Sequence, residues 1–144
     1  MTGPASRTVL KRDLLGSVCR VDTPASNSHP GSACIERDTR DARWWLRFAA
    51  RRLAAREARA LAALQQVPGL PRLLQWDGHC LRRSWLDGQP MQRIQPRDPA
   101  YYREALRLVR RLHAAGVVHN DLAKEPNWLV APDGSPAVVD FQLA

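Results

Sequence analysis

The sequence predicts an α+β fold in which strands and one helix precede a second, mainly helical part. Three observations carry this. Two long stretches, 41–66 and 98–115, repeat apolar residues at helical spacing. Asp-Gly pairs at 77–78 and 133–134 each sit between two short apolar runs, as hairpin turns do. Between the second helix and the last hairpin lies "HNDLAKEPNWLV", polar at its start and apolar at its end.

The elements follow in order. Residues 8–22, "TVLKRDLLGSVCRVD", form one or two strands around Gly16, and 23–32 is a loop rich in Pro, Ser, Asn and Gly. "ACIERD" is a short strand. From Asp41, the candidate N-cap, a helix runs to Gln66. Leu46, Leu53, Leu61 and Leu64 share one stripe, and five arginines between Arg47 and Arg59 populate the rest of the circumference. Glu57 falls on the apolar stripe, where a carboxylate needs a cation or hydrogen bonds. Two strands turn at Asp77-Gly78, and Asp87-Gly88 marks a further turn. The clearest helix has Asp98 as cap, Pro99 in its first turn, a stripe of Tyr101, Ala105, Leu108, Val109 and Leu112, and Gly116 at its end. The final hairpin brings its two outer ends together, so Asp140 lies close to Asn127. Two oxygen ligands then converge, as a hard cation such as Mg²⁺ requires.

Composition bounds the rest. The 144 residues, 44% hydrophobic and 25% charged, suit a globular fold with a modest core. A net charge of +8 and a pI near 10.6 favour acidic partners: phosphates, nucleic acid or an anionic membrane surface. Three separated cysteines, Cys19, Cys34 and Cys80, have no zinc spacing and suit small buried residues in a reducing compartment. There is no apolar leader and no run approaching the ~18 apolar residues of a membrane span. The expectation is a cytoplasmic protein, with a peripheral place on the inner membrane surface as a further option.

The residues from "HAAGVVHNDLAKEPNWLVAPDGSPAVVDFQLA" resemble the catalytic and metal-binding loops of the protein-kinase-like superfamily: His-x-Asp, a later Asn, a hairpin, then Asp-Phe. The resemblance is to its compact bacterial and RIO-like branches and to lipopolysaccharide sugar kinases. It is strong over 113–144 and weaker but collinear back to about Thr8. It implies a two-lobed kinase-like fold: an N-lobe over 1–87, with a small antiparallel sheet and one helix, and a truncated, mainly helical C-lobe over 88–144. It also implies an ATP- and Mg²⁺-dependent transfer of the γ-phosphate to a hydroxyl, on a protein Ser/Thr or a lipopolysaccharide sugar. By this resemblance Asp121 accepts or orients the hydroxyl proton, Lys124 offsets phosphoryl charge, and Asn127 and Asp140 hold Mg²⁺. His119 braces the loop, and Trp128, Leu129 and Val130 pack beneath it. Gly16 stands for the glycine-rich loop, Glu57 pairs the third-strand cation, and backbone groups from Arg83 to Leu86 face adenine.

The sequence departs from the family in four ways. Asp121 to Asn127 is six residues where five is usual, so the loop must bulge. Gln142 replaces the glycine of Asp-Phe-Gly. No lysine occupies the third strand; Arg37 is the substitute, with Lys11 competing. The chain ends at Ala144, before the activation segment and helices that the resemblance leads one to expect. Two further readings therefore stand beside the kinase: a catalytically impaired nucleotide-binding pseudokinase fragment acting as an interaction module, and a nucleic-acid binder. The last is motivated by charge alone and lacks any recognition motif. No specific nucleic-acid partner is expected.

Overall fold

The computed structural model describes residues 5–23 and 32–144. The predicted loop over 23–32 lies almost wholly outside the described residues. The chain divides into two compact units: the described residues up to Ala55 with Leu73–Trp85, and Arg56–Arg72 with Leu86–Ala144. Among the described residues no helix is long and apolar enough to cross a membrane.

The first unit holds a five-stranded antiparallel sheet in the order β1-β2-β3-β5-β4. Its strands are β1 (Ser6–Asp13), β2 (Gly16–Thr23), β3 (Ser32–Asp38), β4 (Leu73–Trp76) and β5 (Cys80–Ser84). The α+β class and the small antiparallel sheet expected of a kinase-like N-lobe are both present. The hairpin at Asp77-Gly78 forms because Asp77 Oδ1 accepts from the His79 and Cys80 amides at 2.9 and 2.7 Å. Cys19, Ile35 and Leu81 are buried in this unit.

Helix α1 (Arg47–Ala63) starts six residues later than the sequence suggests. Asp41 is not its cap. It lies in a 3₁₀ turn, Thr39–Asp41, and its carboxylate accepts from Ser17 Oγ at 2.6 Å. A further turn, closed by Leu46 N–H to Arg43 O, precedes the helix. The arginine face is exposed as the periodicity requires, and Ala50, Ala54, Leu61 and Leu64 are buried.

The second unit contains a three-stranded sheet, order β6-β7-β8, of β6 (Gln89–Pro90), β7 (Trp128–Val130) and β8 (Pro136–Val138). The two-residue β6 and the short helix α2 (Met91–Ile94) were not visible in the pattern. Asp87-Gly88 is no turn and lies outside any regular element, just ahead of β6. A Cβ on Gly88 would come within 2.9 Å of Val130 O, so close approach to β7 explains the glycine. Helix α3 (Pro99–Ala114) matches its sequence signals: Asp98 Oδ1 accepts from Ala100 N–H at 2.8 Å. It ends with Gly116 N–H on His113 O and Val117 N–H on Leu112 O. Tyr101, Leu108 and Leu112 form its buried edge.

Candidate active site

The site is built on the loop from His119 to Asn127 and on the end of β8. The six-residue spacing is absorbed by two successive tight turns. Lys124 N–H donates to Asp121 O at 3.3 Å, and Asn127 N–H donates to Lys124 O at 3.0 Å across a 3₁₀ turn, Glu125–Asn127. The chain doubles back, and Asn127 Nδ2 reaches Asp121 O at 3.0 Å and Asp121 Oδ2 at 3.1 Å. Both contacts use the amide's donor end, so Asn127 Oδ1 takes no part in them.

Asp140 is brought in by the hairpin. Trp128 pairs with Val138, and Val139 N–H donates to Asn127 O at 2.9 Å. Asp140 therefore follows the residue bonded to the Asn127 main chain, as the Asp133-Gly134 turn predicts. It has a left-handed φ of 66°, which is uncommon for a residue with a Cβ. Its Oδ1 is buried and finds no hydrogen-bond partner among the described residues. A buried carboxylate oxygen without a donor fits a cation ligand. The residue of this segment with unusual backbone is thus Asp140; Gln142 is not among the positive-φ residues.

Lys124 Nζ lies 3.0 Å from Asp121 Oδ2. Hydrogen bonding from Lys124, then from Asn127, holds the Asp121 carboxyl below the usual carboxylate range, so it is ionised at neutral pH. His119 is buried; its Nε2 is 3.0 Å from Val139 O and its ring meets Phe141 edge-on at 4.6 Å. It holds the β8 end beside the loop, a bracing position. Trp128 is buried, and its indole N–H donates to Leu122 O at 3.0 Å, closing the loop from below.

Two further residues went unnoticed in the sequence. Asn120, with a left-handed φ of 62°, donates from Nδ2 to Leu143 O at 2.8 Å. Arg56, on the exposed face of α1, donates to Leu143 O and Ala144 O at 3.1 and 3.2 Å. Together they clamp the segment that follows Asp140. The middle position of His119-Asn120-Asp121 gave a local signal for Asn120; no periodicity marks Arg56 among its arginine neighbours.

Glu57 belongs to the second unit and is fully buried on α1. Leu86 also belongs to the second unit, outside any regular element. Arg83 lies in β5, between β3 and β4, opposite Ile35 and Leu73, so its main chain faces strand neighbours. Trp85 N–H donates to Ala33 O at 3.1 Å. Of that stretch, Leu86 is the residue beyond the ladder. Gly16 opens β2 with φ +123°, and a Cβ there would meet Asp38 O at 2.3 Å. Its glycine is required by the sheet itself. Arg37 lies on β3 opposite Leu81; a hydrogen bond from Lys11 chiefly holds the Asp13 carboxyl low, and the Arg37 charge adds to it. The neighbouring Glu36 points to the other face. It is buried and bonded by Arg7 at 3.0 Å and Arg82 at 2.8 Å. Lys11 is engaged with Asp13 at 2.8 Å.

Residues 32–144 match the RIO domain family, a protein-kinase-like family. The chain belongs to the RIO domain family. The match takes in β3, the loop and Asp140, and begins after Gly16. The chain is also 38% identical over 68 residues to the dual specificity protein kinase Ttk of Danio rerio. That alignment covers 46% of this chain and 6% of that kinase, so the chain spans a small share of the relative's length.

Proposed function

We propose that this RIO domain transfers the γ-phosphate of ATP to a hydroxyl group. The observation that carries the reading is the loop closure that sets Asp121, Lys124 and Asn127 within hydrogen-bond reach of one another, with the buried Asp140 oxygen at the adjoining strand end. Asn127 Oδ1 and the Asp140 carboxylate would hold Mg²⁺, which when bound would offset charge on the triphosphate.

The chain's own groups divide the remaining work. The ionised Asp121 carboxylate accepts the hydrogen of the attacking hydroxyl and aims its oxygen. Lys124, already 3.0 Å from Asp121, places a cation where phosphoryl charge develops. Asn127 keeps Asp121 in position through Nδ2. Asn120 and Arg56 hold the segment beyond Asp140, so the carboxylate stays at the loop. In the first unit, Arg37 on β3 is the candidate phosphate-binding cation, with Lys11, which pairs with Asp13 at 2.8 Å, competing.

The likeness to a protein kinase of Danio rerio supports a protein acceptor; a sugar hydroxyl of lipopolysaccharide is the alternative the resemblance leaves open. The test is transfer from γ-labelled ATP with magnesium to a Ser/Thr-containing protein, and separately to lipopolysaccharide core. Asp121→Asn should lower the rate by roughly 10²–10⁴ with nucleotide affinity retained. Equal rates for parent and variant would remove the catalytic role of Asp121. Nucleotide binding without transfer in the parent would establish the impaired, binding-only module instead.

A further inference from the structure

The first unit carries a surface that phosphotransfer does not use. Trp44, Trp45 and Phe48 are 81%, 57% and 69% exposed, in the turn before α1 and on its first turn. Monomeric surfaces seldom show three large neighbouring apolar side chains this fully. The segment is nevertheless fixed. Arg43 N–H donates to Leu14 O at 3.2 Å, and Leu46 N–H donates to Arg43 O at 2.8 Å.

Cations surround the rings. Arg43, Arg47, Arg51 and Arg52 are exposed, and the Arg52 guanidinium lies 5.4 Å from the Phe48 ring centre. The one acid between residues 39 and 56 is Asp41, which accepts from Ser17 Oγ. The first turn of α1 has no acidic residue, so the helix dipole adds to the positive potential. Beside Phe48 is a depression of about 320 Å³, lined also by Arg51, Arg52, Ala55, Trp76 and Gly78. Arg51 is held at its rim by a hydrogen bond from Nε to Gly78 O at 3.3 Å.

We propose that this face docks on an anionic lipid bilayer: the two indoles and Phe48 enter the headgroup boundary while the flanking guanidiniums, Arg51 and Arg52 in particular, take lipid phosphates. Indoles prefer that boundary, and basic residues beside exposed aromatic rings supply the attraction that makes peripheral binding depend on anionic lipid. A second copy of the chain fits poorly. A twofold contact through this face would set four arginines against four, while the two acids nearby already accept hydrogen bonds, Asp41 from Ser17 Oγ and Asp77 from the His79 and Cys80 amides. A nucleic acid would need an extended basic groove with bases stacked along it, and here the three exposed rings fall within residues 44–48.

The test is co-sedimentation of the full chain with vesicles of phosphatidylcholine alone and of phosphatidylcholine mixed with phosphatidylglycerol. The parent should bind the mixed vesicles and not the neutral ones. Trp44→Ser with Trp45→Ser should weaken binding at least tenfold with far-UV circular dichroism unchanged. Arg43→Gln with Arg52→Gln should weaken it and flatten its salt dependence. Asp121→Asn should bind as the parent does, which separates this inference from the phosphotransfer reading. Equal sedimentation of the parent with both vesicle types, or of the tryptophan variant and the parent, would overturn the proposal. So would a dimer, or single-stranded RNA binding, that the tryptophan substitutions abolish while the parent ignores anionic vesicles.

Discussion

The loop from His119 to Asn127 and the five-stranded sheet of the first unit handle charge in opposite ways. In the loop, Lys124 and Asn127 both bond Asp121 within a span of seven residues. In the sheet, Glu36 is bonded by Arg7 and by Arg82, the latter 46 residues away, and each contact depends on strand register. A loop closed by its own neighbours presents a constellation that a short sequence can encode. A sheet that spends its charges on pairing across strands leaves fewer of them assigned to a ligand. The candidate functional residues are accordingly dense from 119 to 140 and scattered before Arg83.

The comparison can be broken first at Gly16. Gly16→Ala should lower stability by at least about 1–3 kcal/mol from backbone strain alone, with the Asp38 carbonyl adding to it. Urea titration would measure this. A stability loss with unchanged nucleotide affinity in the folded variant assigns Gly16 to the sheet. Lost affinity at equal stability would assign it to phosphate binding.

Trp128→Phe comes next, on the loop side. It removes the donor to Leu122 O and should cost about 1–2 kcal/mol. It should also lower the transfer rate, because Leu122 follows Asp121. A rate equal to the parent's would show that the loop holds its geometry without that bond.

Arg56→Ala and Asn120→Ala sharpen the same side. Both side chains are exposed, so stability should change little, while magnesium-dependent ATP affinity should fall several-fold as the segment after Asp140 loosens. Calorimetry separates the two effects.

The smallest effect belongs to the sheet unit. A hydrogen bond from Arg40 is the main cause holding the Asp38 carboxyl below its ordinary range. Its contribution is therefore full above the ordinary carboxylate pKa of about 3.9 and is lost as pH falls through the lower folded value. Arg40 is 63% exposed, so solvent screens the pair and the contribution should be small. Asp38→Asn should be slightly less stable at pH 7 and should flatten the acid limb of a stability–pH curve. An unaltered limb would mean that the pair contributes nothing.

How much of this was legible follows the same division. The convergence of Asn127 and Asp140 could be read because Asp133-Gly134 sets a hairpin whose register fixes its ends. Helix α3 could be read because Asp98, Pro99 and Gly116 all mark its limits. The start of α1 could not, since Ser17, on a distant strand, takes the carboxylate that would have capped it. The clamp by Arg56 joins residues 87 positions apart, and nothing local distinguishes that arginine from its neighbours. The pairing of β6 with β7 rests on two residues, too few for any period to appear.

The central claim is that Asn127 and Asp140 bind the magnesium–nucleotide complex beside Asp121. Calorimetric titration of ATP, with and without magnesium, into the parent and Asp140→Ala tests it most directly. The account predicts that magnesium tightens ATP binding to the parent and that the variant loses this dependence while binding metal-free ATP as before. Magnesium-enhanced binding of equal strength in both proteins would contradict it.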